Sequence, residues 1–307
     1  MATYTTYDTV GIKEDISDVI SRITPTKTPF QTMIGADVTK NRLFQWQEDS
    51  LRAVQVNAKV EGFVAADATL TPTVMRQNYT QIMEKTIKVS ATEDAVDQYG
   101  RAKETAYQLA KAGEEVKRDR EHAFVGLAQA ATAGDSASVA RLTASAGSQV
   151  TTASARVYTG AATPLGGTTG TAGALSEPNL LIAGQAAYNN GADPTIFMVK
   201  PADSLIIAAF SGASGRTRNI NDGAKTVTNA VNLYVSPFGE YKVVLNRFQK
   251  ATDAWLIDPS MWSIVTLRSW TREPLAKVGD ASTTMVVGEY GLKHKNFASD
   301  VLITNLT

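Results

Sequence analysis

The sequence predicts an α+β protein. Three observations carry that prediction. Residues 101–133 repeat apolar positions at helical spacing, residues 41–92 contain two strand-rich segments that read as a long hairpin, and the last 45 or so residues read as antiparallel strands. A chain of 307 residues has room for about two domains of roughly 150 residues each. With 43% hydrophobic and 20% charged residues it can bury a sizeable core and is not a disordered chain. The 30 basic and 30 acidic side chains cancel, so the overall basic surplus of a dedicated nucleic-acid binder is missing, while local basic patches remain compatible. There is no cysteine, which excludes disulfide staples, thiolate metal sites and cysteine nucleophiles. His122 and His294 are the only histidines, too few for a three-histidine metal site in one chain. No cofactor is expected. The N-terminus lacks a basic region followed by an apolar one, so no secretory signal is read there. The longest strongly apolar run, Leu205 to Phe210, is far short of the ~20 residues of a membrane span, and a soluble chain with no membrane partner is expected.

The elements follow in order. Residues 1–40 read as an arm without its own core: Ile16, Val19, Ile20 and Ile23 share a helical face, and the prolines of Thr24-Pro-Thr-Lys-Thr-Pro-Phe30 break it. In the hairpin of residues 41–92, Leu43–Leu51 and Tyr79–Ser90 are the expected strands, with a mixed stretch from Arg52 to Asn78 between them and bend signals at Glu61-Gly62 and Leu70-Thr-Pro72. A two-stranded hairpin alone is marginal in water, so this one lies either on its own domain or on a neighbouring subunit. The helix over 101–133 would be roughly 50 Å long at 1.5 Å per residue, against a mean of about 11–12 residues. Lys111–Glu115, Glu114–Arg118 and Lys117–Glu121 are spaced as intrahelical ion pairs, which reads as the solvated face of a core helix. Residues 134–175 are rich in Ala, Gly, Ser and Thr, and read as a mobile loop or a small strand-rich insertion. Residues 176–258 look α/β. Ser176 is an N-cap for a helix ending near Asn190-Gly191, Thr195–Val199 is a buried strand, a second helix starts at Pro201, and strands follow at Ala230–Val235, Tyr241–Leu245 and Ala254–Ile257. The last strands are Trp262–Trp270, Thr284–Lys293 and Val301–Leu306.

Catalytic spacing is absent. There is no phosphate-cradling glycine loop and no G-x-S-x-G elbow. His122 sits among charges on a helix, and His294 lies between Lys293 and Lys295, whose cations disfavour a protonated imidazole. No enzyme is expected. Arg216 and Arg218, in a polar loop, are candidates for contact with a partner carboxylate or DNA, or are simply solvated. Asn78-Tyr-Thr80 matches a glycosylation sequon but carries little meaning without a signal peptide. An arm and a hairpin that cannot bury themselves within one chain point to burial between chains, which is the pattern of an assembly protein.

Several segments carry a resemblance. Asp15-Ile-Ser-Asp-Val-Ile20, Thr24-Pro-Thr-Lys-Thr-Pro-Phe30, Gln45-Trp-Gln-Glu-Asp-Ser-Leu51, Gly100-Arg-Ala-Lys-Glu-Thr-Ala-Tyr-Gln-Leu109 and Glu115-Val-Lys-Arg-Asp-Arg-Glu121 resemble the SU10-like group of tailed-bacteriophage major head proteins. Tyr234-Val-Ser-Pro-Phe-Gly239, Leu256-Ile-Asp-Pro259, Arg272-Glu-Pro-Leu-Ala-Lys-Val-Gly-Asp280 and Val287-Gly-Glu-Tyr290 are similar to the same group, in the same order. Residues 134–175 match nothing in it.

The resemblance implies an HK97-type capsid fold. It assigns residues 1–40 to an N-terminal arm, 41–92 to an extended loop with flanking strands, 93–133 to a peripheral domain with its spine helix, 134–175 to a joining loop or insertion, 176–258 to an axial domain, and 259–307 to strands that return to the peripheral domain. It implies a major capsid protein that forms hexamers and pentamers of an icosahedral or prolate head around a double-stranded DNA genome. The implied partners are further copies of the chain, a portal, scaffolding or decoration proteins, and DNA held non-specifically on the inner face. The implied place is the virion, after assembly in the host bacterial cytoplasm. Phe44, Trp46, Leu51, Arg52, Glu61, Trp270, Arg272 and Glu273 become candidates for contact between subunits. The extended loop would lie over a neighbour's spine helix and bury Phe44, Trp46 and Leu51 there. An internal fused scaffold is not expected, since no long charged helical prefix is seen. Two rival readings are an encapsulin-like shell around a cargo enzyme, and a surface adhesin or tail-associated binding protein.

Overall fold

The computed structural model describes residues 23–65, 67–68, 70–100, 102–167, 170–210 and 233–307. The arm helix expected from Ile16 and the loop holding Arg216 and Arg218 lie outside the described residues, apart from Ile23. The first elements among the described residues are a short helix α1 (Pro29–Met33), whose proline suits a first helical position, and strand β1 (Gly35–Val38). Next come β2 (Leu43–Glu48), β3 (Val74–Tyr79) and β4 (Gln81–Ser90). Ser90 caps the short α2 (Ala91–Ala95) by accepting from the Glu93 N–H, and α3 (Glu104–Glu121) runs on into a single π turn, His122–Gly126. The segment after it holds α4 (Ala146–Gln149) and β5 (Arg156–Tyr158). Then follow α5 (Glu177–Asn189), β6 (Ile196–Val199), α6 (Asp203–Phe210), β7 (Leu233–Ser236), β8 (Gly239–Leu245), β9 (Ala254–Ile257), β10 (Trp262–Pro274), β11 (Ala281–His294) and β12 (Val301–Thr304). The Ser176 hydroxyl accepts from the Asn179 N–H at 3.4 Å, as an N-cap should.

The strands form a four-stranded sheet, β1-β10-β11-β4, a six-stranded sheet, β5-β12-β9-β6-β8-β7, and the pair β2-β3. The central strands of the six-stranded sheet are apolar on both faces, the pattern of a sheet covered on both sides. Phe197, Val199, Leu256 and Ile303 enter a core with Leu180, Ala183 and Ala187 of α5 and Ile207 of α6. Their neighbours Met198, Trp255, Ile257 and Leu302 point the other way, into a second core with Trp262, Ile264, Tyr290 and Leu292 of the four-stranded sheet. That second core also takes Phe30 and Phe124, so it joins the two sheets, the π turn and α1.

Four expectations change. The helix stops at Gly126, after about 23 residues or ~35 Å, because the chain beyond it bonds sideways. Leu127 is extended, the Gln129 carbonyl accepts from Ser145 N–H, and the Thr132 and Leu142 backbones bond each other both ways, which uses groups a longer helix would need. The hairpin partner of β2 is β3, in the stretch read as mixed; the strand read over Tyr79–Ser90 is β4, which pairs with β11. Residues 134–175 are not wholly a mobile loop, for Thr143, Ser145, Val150, Ala155, Val157 and Thr159 are fully buried. Their small side chains allow the backbone to thread between the sheets. The 259–307 segment divides. β10 and β11 lie in the sheet against α3, while β12 is inserted between β5 and β9, because its apolar residues fit both cores.

The acidic residues of α3 also separate. Glu115 pairs with Lys111 at 3.9 Å and with Lys85 at 3.4 Å, at the surface. Glu121 is fully buried and serves another helix: Oε1 accepts from Phe30 N–H (2.8 Å) and Asn246 Nδ2 (2.7 Å), and Oε2 accepts from Gln31 N–H (3.0 Å). It satisfies the first N–H groups of α1 from outside. Burial pushes its carboxyl above the usual range, against the pull of those donors. In Glu121→Gln one acceptor oxygen becomes a donor facing N–H groups. Urea unfolding of the unassembled subunit is expected to show a loss of about 1–3 kcal/mol, the cost of unsatisfied buried groups; an unchanged midpoint would refute this account.

Candidate assembly surface

The β2-β3 pair stands on the rest of the chain through a column of rings. Strand alternation turns Phe44 and Trp46 inward on β2. Phe44 stacks on Trp46 (5.9 Å), Trp46 meets Phe297 (6.4 Å), Phe297 lies on His294 (5.5 Å), and His294 lies on Trp262 (3.9 Å). Phe44 fits because β11 carries a glycine opposite it: a Cβ on Gly291 would sit 2.5 Å from the Phe44 ring. The Arg76 guanidinium covers Phe297 at 4.3 Å and bonds Glu48 at 2.6 Å, while Glu48 accepts from the Phe297 N–H at 3.3 Å.

Polar groups hold the other strand of the root. Asn78 is fully buried; its Oδ1 accepts from Ala144 N–H and Tyr79 N–H, both at 2.8 Å, and its Nδ2 donates to Leu292 O at 2.6 Å and Thr143 Oγ1 at 3.1 Å. The sequon at Asn78 is therefore closed to modification in the folded chain. The Thr80 hydroxyl donates to Glu289, which also binds Arg141 and Arg268. Arg141 donates in addition to Thr80 O at 2.6 Å. The two six-residue strands are thus anchored through one shared face, by Phe44 and Trp46 on β2 and by Asn78, opposite Phe44, on β3.

Beyond Glu48 the chain leaves this support. Among the described residues from 49 to 73 there is no strand or helix, and a turn at Glu61-Gly62 reverses the chain. Leu51 is 98% exposed, Val54 103%, Val56 92% and Val64 90%, and Val60, Phe63 and Leu70 are also open to solvent. Single exposed apolar residues are ordinary, but a series of them along one projecting segment marks a contact surface.

The candidate residues distribute unevenly. Phe44 (8% exposed) and Trp46 (9%) are buried within their own chain, so they seat the root of the loop and are not what it offers to a neighbour. Leu51, Arg52 and Glu61 are exposed on the projecting segment. Trp270 is half-buried against Tyr290 (5.0 Å), its backbone N–H donating to the Tyr290 hydroxyl, with Arg120 over the Tyr290 ring at 4.6 Å. Arg272 and Glu273 are exposed on the outer part of β10, opposite Val286 and Met285. Thr143 and the valines of the loop were not singled out in the sequence, and Asn78 was noted there only as part of a sequon. For the valines the signal was present, since Val54, Val56 and Val60 alternate with polar residues.

Chemistry finds no foothold at the histidines. His294 is fully buried, and its Nε2 faces both Asp300 Oδ2 (2.6 Å) and Ser299 Oγ (3.0 Å). One nitrogen cannot both take a proton from a serine and be oriented by the acid. The neighbouring lysines point elsewhere, Lys293 to Asp37 and Lys295 to Ser260 O. His122 Nδ1 lies 3.2 Å from Phe248 O. Among the described residues no group of three His, Asp or Glu is placed to hold a metal ion, and no helix is long and apolar enough to cross a membrane.

Comparison with known proteins agrees with a role in assembly. The family model described as SU10 major capsid protein matches residues 2–307. The "Major capsid protein" of Escherichia phage Phieco32 is 31% identical over 339 aligned positions, covering 98% of this chain and 96% of that one. Among solved structures, the capsid of cyanophage A-1(L) is similar with a TM-score of 0.69 at 12% identity, covering 99% of this chain and 98% of its own. The capsid of the native GTA particle is similar with a TM-score of 0.64 at 12% identity, covering 96% of each chain. These structures carry the HK97-like capsid fold, mixed in helix and strand. The encapsulin and adhesin readings gain no support from these matches. A folded body with a pinned root and an apolar segment held out from it is a subunit made for a lattice, and the chain belongs to the SU10 major capsid protein family, a structural family and not one of enzymes.

Proposed function

We propose that copies of this chain form hexamers and pentamers, and that these close into an icosahedral or prolate head around double-stranded DNA. The observation that carries this reading is the projecting segment from 49 to 73, whose described apolar side chains have no cover within their own chain. Laid on an adjacent subunit, Leu51, Val54 and Val56 would leave water. Each apolar Å² removed from water contributes roughly 25 cal/mol. Every subunit both gives and receives such a contact, and linked contacts act at high effective concentration. Arg52 and Glu61 on the loop, and Trp270, Arg272 and Glu273 on β10, are further proposed contact residues. Arg216 and Arg218 remain proposed for a partner or DNA.

The partners that follow are a portal at one vertex, scaffolding during assembly and decoration proteins outside. DNA would meet the inner face without sequence preference, in a salt-sensitive manner. Zero net charge means that the shell need not grip the genome tightly. Assembly would take place in the host cytoplasm.

Light scattering and negative-stain microscopy of the purified chain test the reading. Megadalton closed shells, or capsomers that convert to shells, are expected; a lasting monomer or trimer even with scaffolding protein present would refute it. The double variant Val54→Asp, Val56→Asp tests the loop. Both residues are exposed, so each change should move subunit stability by no more than about 0.5 kcal/mol while shells are lost. Normal shells from a correctly folded double variant would remove the loop from the interface.

A further inference from the structure

The loop between β8 and β9 packs against the end of α3. Asn246 is fully buried and fixes that loop from within: its Nδ2 donates to Glu121 Oε1 at 2.7 Å, and its Oδ1 accepts from the Phe248 N–H at 2.9 Å. The Lys250 N–H donates to Val125 O, on the π turn, at 3.0 Å. His122 closes the contact, with Nδ1 3.2 Å from Phe248 O. A bare ring nitrogen would set lone pair against lone pair there, so Nδ1 carries the proton and donates. Gly126 makes room for this approach, since a Cβ on it would run into both His122 Nδ1 and Phe248 O. The loop is held from several sides, and the side chains it shows to solvent are held with it.

What the loop and the helix present together is basic. Arg247 is exposed, and Phe248 and Lys250 are half-buried. From α3 the Arg118 guanidinium lies over the Phe248 ring at 5.6 Å. Its Nε is buried with no acceptor, so the two Nη of its fork are what it has to offer. Carboxylates on the same two elements are engaged. Glu115 pairs with Lys111 and Lys85, Glu121 is turned inward to α1, and Asp253 accepts from the Thr252 and Thr304 hydroxyls with Lys250 Nζ at 3.7 Å. Asp119 follows Arg118 but points about 100° away around the helix. Arg118 and Arg247 thus make no ion pair among the described residues. In a chain of zero net charge, this is a local surplus of cations on a fixed frame. One partner carboxylate would balance one of them. A DNA duplex carries a charge every ~1.7 Å of its axis, so its backbone can serve Arg118, Arg247 and Lys250 together.

We propose that Arg118, Arg247 and Lys250 form a phosphate-binding site around Phe248, with His122 positioning the loop, and that its ligand is the backbone of duplex DNA. The chemistry recognised is phosphate oxygen, and a guanidinium fork takes two such oxygens at once. Such contacts position a duplex without reading its sequence. The source of the phosphate, DNA and not a free polyphosphate, rests on the DNA reading above.

Unassembled subunits are titrated with a short DNA duplex and, separately, with tripolyphosphate, over a range of salt. The unsubstituted chain is expected to bind the duplex, and to bind it more weakly as salt rises. In Arg118→Gln with Arg247→Gln the slope of log affinity against log salt should be shallower by about two, with affinity at physiological salt at least about tenfold lower. Lys88→Gln with Lys277→Gln removes the same charge from exposed positions elsewhere and should leave the slope unchanged. Where the first pair lowers the urea midpoint, Arg247→Gln alone, at an exposed position, keeps the test readable and should lower the slope by about one. An unchanged slope in the first pair, or an equal loss in the second, would overturn the site and leave DNA contact elsewhere on the chain standing. Tripolyphosphate bound through Arg118 and Arg247 with no binding of the duplex would keep the phosphate chemistry and overturn DNA as its source. An unsubstituted chain that binds neither ligand would sink the site and the DNA reading together.

Discussion

Met198, Trp255 and Leu302 leave one face of the six-stranded sheet, Trp262, Ile264 and Leu292 leave the four-stranded sheet, and all six fill a single interior. Everything else is placed by that shared core. The π turn at the end of α3 enters it through Phe124 and Val125, so the position of the helix relative to both sheets is set there. Glu121, one residue before that turn, then fixes where α1 starts. Trp262 also ends the ring column beneath β2, which ties the root of the projecting segment to the same interior. Close-packed interiors have few alternative arrangements. The subunit body therefore offers its neighbours a fixed platform.

Much of this was legible in the sequence, for stated reasons. The unbroken apolar runs Ile196–Val199 and Ala254–Ile257, the cap at Ser176 and the presence of three closing strands each depend on local pattern, and each appears in the fold, the first two closing strands running longer than expected. The arrangement of 134–159 was not legible. Its Ala, Ser and Thr residues look like loop residues by composition, but they are small because a backbone must pass between Asn78, Leu292 and Trp255. The end of α3 was missed for a similar reason, since Ala-rich residues after Gly126 favour helix locally and are overruled by backbone bonds to Leu142 and Ser145. At the assembly surface, aromatic residues drew attention because they are large and apolar. Phe44 and Trp46 proved to be interior, and the smaller valines beyond them are the exposed ones. Size predicts burial, and it does not tell which chain does the burying.

The exposed valines also define a tension in the free subunit. An unpaired, strand-patterned, apolar segment is a hazard for unspecific association. The sequence tempers it with Asn57, Lys59, Glu61 and Asp67 between the apolar residues, and with Pro72, which cannot donate to a ladder.

The turn at Glu61-Gly62 lies near the middle of a segment that leaves the β2-β3 ladder at Glu48 and rejoins it at Val74. That symmetry constrains how the segment can change length during descent. An insertion in one arm alone shifts every later partner by one and exchanges the apolar and polar faces. Matched insertions in both arms, or one insertion absorbed by a local bulge, keep the faces intact. Related chains with longer or shorter segments should therefore differ in this stretch by even numbers of residues, and an odd difference should come with a bulge.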